Sequence, residues 1–347
     1  MSYFTYIENA ILIIGIQFME NTKSNIMYVL RALEEFSDEN HFLTQQQIID
    51  GVNKLFGVLL ERKTIGHTIN VLRDLDFDIQ DNQKGKGVAL IERRFDKSEV
   101  KFLIDAIFSS KSIPGKKAKD LSEKVSSCLS RYDRRTYQYL NKSSDVSRTT
   151  NYDVFLNIEI INEAIQRHKY ISFKYMDYDG DGNMTFKREG KEYSTSPCYL
   201  INNFGRYYYL GYRDKYDNVS TYRLDYMKDV RIDEEKEMID VETLKEFKDY
   251  KNIGEYISEH IYLFGGEIVD ALLLLKEPYV ISYITDWFGK NAKIIKEDGV
   301  LKAKVRCNKK ALFYWVMQYS EHITVESPTS LKEDIINAAR GIIEKYN

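Results

Sequence analysis

Five side chains between positions 62 and 70 are of the types that grip or read a nucleic acid: Arg62, Lys63, Thr64, His67 and Asn70. On a helix that enters a major groove the outward residues should be cationic or hydrogen-bonding and the inward ones apolar. Arg62 and Lys63 would stand at the helix start, within reach of a phosphate or a guanine edge, while His67 and Asn70, three apart, share a face. Ile65, Ile69 and Leu72 supply the inward positions. Such a set alone also fits an ordinary solvated face. Further on, Lys84 and Lys86 flank Gly85 and put two ammonium groups on a narrow turn, the shape that touches a phosphate backbone. The two groups together point to nucleic-acid contact.

A second group lies downstream. Alternate residues of a strand face opposite sides, so in Tyr207-Tyr208-Tyr209-Leu210 the pair Tyr208 and Leu210 shares one side, Tyr207 and Tyr209 the other. In Tyr222-Arg223-Leu224-Asp225, Tyr222 and Leu224 form an apolar face and Arg223 with Asp225 faces away. A guanidinium held beside aromatic rings suits a phosphate, a carboxylate or a stacked base. The plainer alternative is an Arg223 to Asp225 surface pair over a tyrosine core. Asp177-Tyr178-Asp179-Gly180-Asp181-Gly182-Asn183 spells the first half of a calcium loop, but the twelfth position is Arg188 where a bidentate glutamate is required. An acidic hairpin loop is expected there. The five histidines (His41, His67, His168, His260, His322) lack metal-ligand spacing, and the cysteines (Cys128, Cys198, Cys307) have no close partner. No Walker loop, G-x-S-x-G elbow or G-x-G-x-x-G motif occurs. The reading is therefore a non-enzyme with no catalytic residue, metal or cofactor.

A length of 347 residues exceeds one ordinary core and suggests two or three domains. Hydrophobic content of 43% with 30% charged residues and four prolines excludes collagen-like and wholly disordered chains. The net charge of −3 hides an asymmetry: Lys54 to Arg148 holds 20 Lys and Arg against 13 Asp and Glu, whereas Asn151 to Asn347 holds 28 against 33. A basic front half on an acidic back half suits a polyanion-binding module carried by something that does not bind polyanions indiscriminately. Unpaired, scattered cysteines fit a reduced, cytoplasmic compartment. The apolar run Ala10 to Met19 is half of the roughly 20 residues a spanning helix needs, and it lacks a basic flank and a cleavage site, so no membrane association is expected. Residues 1–23 read as a leader, either an upstream extension or a helix that packs on a partner.

The elements follow from periodicity. Ser24 opens a helix with Ile26, Val29, Leu30, Leu33 and Phe36 on one side; Thr44 with Gln47 forms a capping-box pattern for a second helix that Gly57 ends. A third spans about Glu61 to Asp74, and Phe77 with Ile79 begins a strand that returns through the glycine-bearing loop to Val88 to Ile91. Three short helices and a hairpin are the order of a winged helix-turn-helix. Two further helices, with Val100 to Ile107 in one and Leu121 to Leu129 in the other, are separated at Ile113-Pro114-Gly115; Asn141 to Asn151 is the best linker. A helix from Phe155 to Ile165 leads into Tyr170 to Tyr175 and the strands Ser194 to Ile201, Arg206 to Tyr212 and Val219 to Leu224, as in a small antiparallel barrel. The last hundred residues read strand, helix, two strands, helix, strand, helix, a βαββαβ order with an added helix. The fold class is α+β multidomain, divided as leader 1–23, winged helix 24–95, helical connector and linker 96–150, barrel 151–240 and C-terminal domain 241–347.

This arrangement resembles the WYL-domain transcriptional regulators, which join a winged helix-turn-helix, a helical connector, an Sm-like barrel (WYL) and a ferredoxin-like C-terminal extension (WCX). The family's central triplet matches Tyr208-Tyr209-Leu210, with Tyr in place of Trp; its first-strand tyrosine matches Tyr175, its proline Pro197 in Ser196-Pro197, and its Phe-Arg-Leu-Asp run Tyr222-Arg223-Leu224-Asp225. Arg62-Lys63-Thr64-Ile65 looks like the family's recognition-helix start. Where many members continue with Arg-Ile, this chain has Tyr226-Met227, so one cation of the family's ligand pocket is missing. The resemblance implies a homodimer on a double-stranded DNA operator, controlling a phage-defence, CRISPR or stress locus, and a nucleotide-like or single-stranded nucleic-acid effector at Tyr175, Ser196, Arg206, Tyr209 and Arg223. The alternative is an accessory nucleic-acid-binding protein that modulates a defence effector through its barrel.

Overall fold

The computed structural model describes residues 24–135, 137 and 148–347. The leader and most of the linker candidate lie outside the described residues. The chain forms two units, one ending at Thr150 and one beginning at Asn151.

In the first unit, helices α1 (Ser24–Phe36), α2 (Gln45–Phe56) and α3 (Arg62–Asp74) precede an antiparallel hairpin of β1 (Ile79–Asp81) and β2 (Val88–Leu90). The apolar stripes predicted from spacing meet in one core, where Val29, Leu33, Ile48, Val52, Ile65 and Leu72 are buried. Thr44 caps α2 with the reciprocal Gln47 bond, and Gly57 closes it in the left-handed region at φ 70°. Leu43, just ahead of that cap, pairs with Val88 through two backbone bonds of 2.8 and 2.9 Å, adding one rung to the hairpin. The approach is so close that a Cβ on Gly87 would stand 2.9 Å from the Leu43 carbonyl group.

Helices α4 (Lys97–Ser109) and α5 (Gly115–Ser126) and the short α6 (Arg131–Arg134) follow among the described residues of this unit. Cys128 and Leu129, expected on α5, fall beyond its end. The buried Asp38 after α1 accepts hydrogen bonds from Ser130 Oγ (2.7 Å) and the Asn40 N–H, and pairs with His41 Nδ1 (2.6 Å). Burial opposes its ionisation, but these bonds win and hold its pKa below the usual carboxylate value. Ser130 is in turn the N-cap of α6. Near the end of the unit the Arg148 guanidinium donates to the carbonyls of Phe108, Ser110 and Ile113 around the α4 to α5 turn, and the Thr149 N–H to Lys111.

The second unit opens with α7 (Val154–Gln166) and a curled antiparallel sheet of β3 (Lys169–Tyr178), β4 (Met184–Phe186), β5 (Tyr193–Asn203), β6 (Arg206–Arg213), β7 (Asn218–Arg223) and β8 (Met227–Glu237). Its path runs β4-β3-β5-β6-β7, and β8 returns to pair with β3. β8 carries no apolar run, and its charge-rich sequence conceals it from a reading by hydropathy. One face encloses Phe173, Tyr209, Tyr222, Leu224 and Met227; the other packs Leu210 against Leu244, Phe247, Tyr256 and Leu263. Tyr209 is 0% exposed, donates to or accepts from Thr195 Oγ1 at 2.7 Å, and lies along its own strand over Gly211, where a Cβ would meet its ring at 2.7 to 2.8 Å. Gly211→Ala is therefore expected to force that ring aside and destabilise the unit by about 2 kcal/mol. Urea unfolding followed by the fluorescence of the chain's two tryptophans, Trp287 and Trp315, both in this unit, would measure it.

After the short α8 (Ile253–Glu259) come β9 (Ile268–Leu275), α9 (Val280–Phe288), β10 (Lys293–Glu297), β11 (Val300–Asn308), α10 (Lys309–Gln318), β12 (Ile323–Ser327) and α11 (Thr329–Tyr346). The strands form an antiparallel sheet in the order β10-β11-β9-β12, packed around Leu273, Ile284, Leu312 and Trp315.

Candidate nucleic-acid interface and anion site

On α3, Arg62, Lys63, His67 and Asn70 are exposed and Thr64 is half-buried, while Ile65, Ile69 and Leu72 of the same helix are in the core. The helix thus divides its faces as its sequence suggests. Arg62 leans toward α2, its Nη2 donating to Gln46 Oε1 at 3.3 Å. The hairpin loop is held by Asn82, whose N–H donates to the Gly87 carbonyl (3.0 Å) and whose Oδ1 accepts the Lys84 N–H (3.0 Å). Lys84 and Lys86 are both exposed on that loop. A cleft of about 690 Å³ opens between the start of α2, α3 and the loop, with Gln46, Arg62, Asn82 and Lys86 on its walls.

In the second unit the key group is a carboxylate. Asp225, expected to face outward, is buried; Arg223 grips it with two bonds, Nε to Oδ1 at 3.1 Å and Nη2 to Oδ2 at 2.7 Å, and Arg206 Nη1 reaches Oδ2 at 3.4 Å. The strand ends at Arg223, and Leu224 to Tyr226 form a single 3₁₀ turn that rolls Asp225 inward. Two buried asparagines hold that turn: Asn151 Nδ2 donates to the Asp225 and Met227 carbonyls, and Asn157 Nδ2 to Met227. Burial alone would lower the Arg223 pKa, but the bidentate bond outweighs it and the net shift is upward. Its guanidinium lies 4.0 Å from the centre of the Tyr226 ring, which makes edge contacts with Tyr175 and Tyr178. The Tyr175 hydroxyl accepts the Arg223 backbone N–H at 3.0 Å, and burial pushes its pKa up. Two guanidiniums share one carboxylate here, leaving a surplus positive charge beside aromatic rings.

Arg206, Arg223 and Tyr175 are thus brought together, but two expected effector residues are not with them. Tyr209 is sealed in the core, and Ser196 is buried with its Oγ accepting the Ile239 N–H at 2.9 Å. Tyr226 and Tyr178 are not among the effector residues that the sequence suggests; the signal for Tyr226 is its place directly after the Arg-Leu-Asp run. In the Asp177 loop, Asp179 Oδ1 accepts the N–H groups of Asp181 and Asn183, and Asp177 pairs with Lys187 at 2.7 Å, as in a hairpin loop. No metal-ligand cluster and no helix long and apolar enough to cross a membrane occurs among the described residues.

Residues 157–232 match the WYL domain and residues 267–343 the WCX domain. The chain carries a WYL domain followed by a WCX domain. The WYL match takes in the curled sheet with Arg206, Arg223 and Asp225; the WCX match takes in the four-stranded sheet and α11. Among curated proteins no match was found. Of solved structures, proteasome accessory factor B/C (PafBC) of Arthrobacter aurescens is similar at 16% identity and TM-score 0.29, covering 90% of this chain and 47% of its own. The chain therefore spans about half the length of that protein. A CRISPR Cas-related protein is similar at 14% identity and TM-score 0.38, covering 74% of this chain and 75% of its own.

Proposed function

We propose that this protein is a sequence-specific, DNA-binding transcriptional regulator whose WYL domain senses a nucleotide-like or single-stranded nucleic-acid effector. The observation that carries the reading is the division of α3: one face locks into the core while Arg62, Lys63, His67 and Asn70 are exposed on the other, beside a loop bearing Lys84 and Lys86. In this reading α1 to α3 and the hairpin are a winged helix-turn-helix, α3 enters the major groove, and the loop touches the phosphate backbone. The chain acts as a homodimer on two half-sites related by a pseudo-twofold axis. An anionic effector at Arg206 and Arg223, between Tyr175, Tyr178 and Tyr226, binds one arrangement of the regulator better than another, and that difference shifts the equilibrium.

Fluorescence anisotropy with the chain's own upstream duplex tests this. Each phosphate contact adds about 0.9 to the slope of log affinity against log salt, so Lys84→Ala with Lys86→Ala, which removes four lysines from a dimer, should lower the slope by about 3.6 and weaken binding to every duplex. An unchanged slope removes the loop from the interface, and tighter binding to single-stranded RNA than to the duplex would favour an accessory role instead.

A further inference from the structure

The WCX domain holds a cleft of about 410 Å³ that neither site above uses, walled by Gly265, Gly266, Asn308, Lys310 and Phe313. It lies at the N-terminus of α10. Asn308 caps that helix, its Oδ1 accepting the Ala311 N–H at 3.0 Å. The cap fixes which way the amide faces, because turning it over would set an NH₂ group against the Ala311 N–H. The donor end, Nδ2, is consequently committed to the opposite side. There it has no hydrogen-bond partner among the described residues, although Asn308 is only 1% exposed. A buried donor without an acceptor is costly enough that most such groups have one.

The surroundings say what kind of acceptor fits. Gly266, at φ 118°, leaves open the space that a side chain would fill 3.8 Å from Nδ2, and Gly265 beside it has nothing within 4 Å of its missing Cβ. The start of a ten-residue helix carries a partial positive charge. Lys309 neutralises Asp334 at 2.9 Å, and the exposed Lys310, its ammonium 5.2 Å from the centre of the Phe264 ring, stands on the same wall as Glu267. Phe313 adds an apolar surface.

We propose that this cleft binds a small phosphate ester. Its phosphoryl oxygens accept from Asn308 Nδ2 and Lys310, and its organic body lies against Phe313. The site is separate from the α3 face and from Arg223, so it stands or falls independently of the DNA-binding reading.

The test uses the whole chain labelled with ¹⁵N-asparagine. The Asn308 side-chain resonances are identified by their loss in Asn308→Ser, which keeps a capping hydroxyl. Titration with phenyl phosphate, at ionic strength held constant with chloride, should move them saturably, and inorganic phosphate should move them more weakly. Lys310→Glu, an exposed change that leaves the fold alone, should reduce the affinity roughly tenfold. Resonances that do not move, or that move equally with chloride, would mean that water fills the cleft. Tighter binding of benzoate than of phenyl phosphate, or undiminished affinity in Lys310→Glu, would also overturn the assignment.

Discussion

Gly87→Ala is expected to destabilise the first unit by about 4 kcal/mol and to abolish duplex binding with it. Two penalties combine at this residue. Its φ of 120° lies where non-glycine residues are strained, and an added methyl would press to 2.9 Å on the carbonyl group of Leu43, which is backbone and cannot rotate away. Relief requires the hairpin to withdraw from Leu43, breaking the two bonds between Leu43 and Val88 and moving Lys84 and Lys86 off their stand beside α3. Both tryptophans belong to the second unit, so the measurement separates the units. Circular dichroism should show an early unfolding transition while tryptophan fluorescence keeps its wild-type midpoint. A single unchanged transition by both probes would mean that the hairpin tolerates the methyl.

The second large effect is expected at Asp225. Asp225→Ala leaves the Arg206 and Arg223 guanidiniums, both half-buried, without the carboxylate they share, and should lower the stability of the second unit by about 3 kcal/mol. Removing one partner of a buried ion pair costs more than the pair itself contributes, because the remaining charge is stranded. An added anion should therefore replace the lost one. Phosphate or sulfate is expected to raise the variant's tryptophan-monitored midpoint well beyond its effect on the wild type, whereas Asp225→Ala combined with Arg223→Ala should lose most of that rescue. If phosphate stabilises wild type and variant equally, the guanidiniums do not form an anion site.

Sequence alone discloses the first unit because its signals are local. Thr44 and Gln47 announce a helix start, Gly57 a helix end, and the spacing of Ile65, Ile69 and Leu72 leaves Arg62, Lys63, His67 and Asn70 facing outward. Strand alternation fails at Asp225 for a reason no local pattern contains: the turn that rolls it inward is held by Asn151, 74 positions away. Tyr209 and Ser196 illustrate a different limit. Period two sorts Tyr209 from Leu210 correctly, but both faces of this sheet are covered, so alternation cannot say which tyrosine meets solvent. The missed β8 is a strand whose second half, Asp233 to Glu237, is wholly charged, and the motif at Asn308 shows only as an unremarkable helix cap until the orphaned NH₂ is seen in three dimensions.

The Asp38 to Ser130 bond has a mechanical meaning. It pins the turn after α1 to the cap of α6, and Arg134 to Glu35 and Arg93 to the Glu34 and Ser37 carbonyls rivet the same seam. Arg148 clamps the outgoing chain to the α4 to α5 turn. Among the described residues of this unit, the turn after α1, the segment leaving β2 and α6 are thereby riveted into one plate that moves whole rather than shearing along that seam.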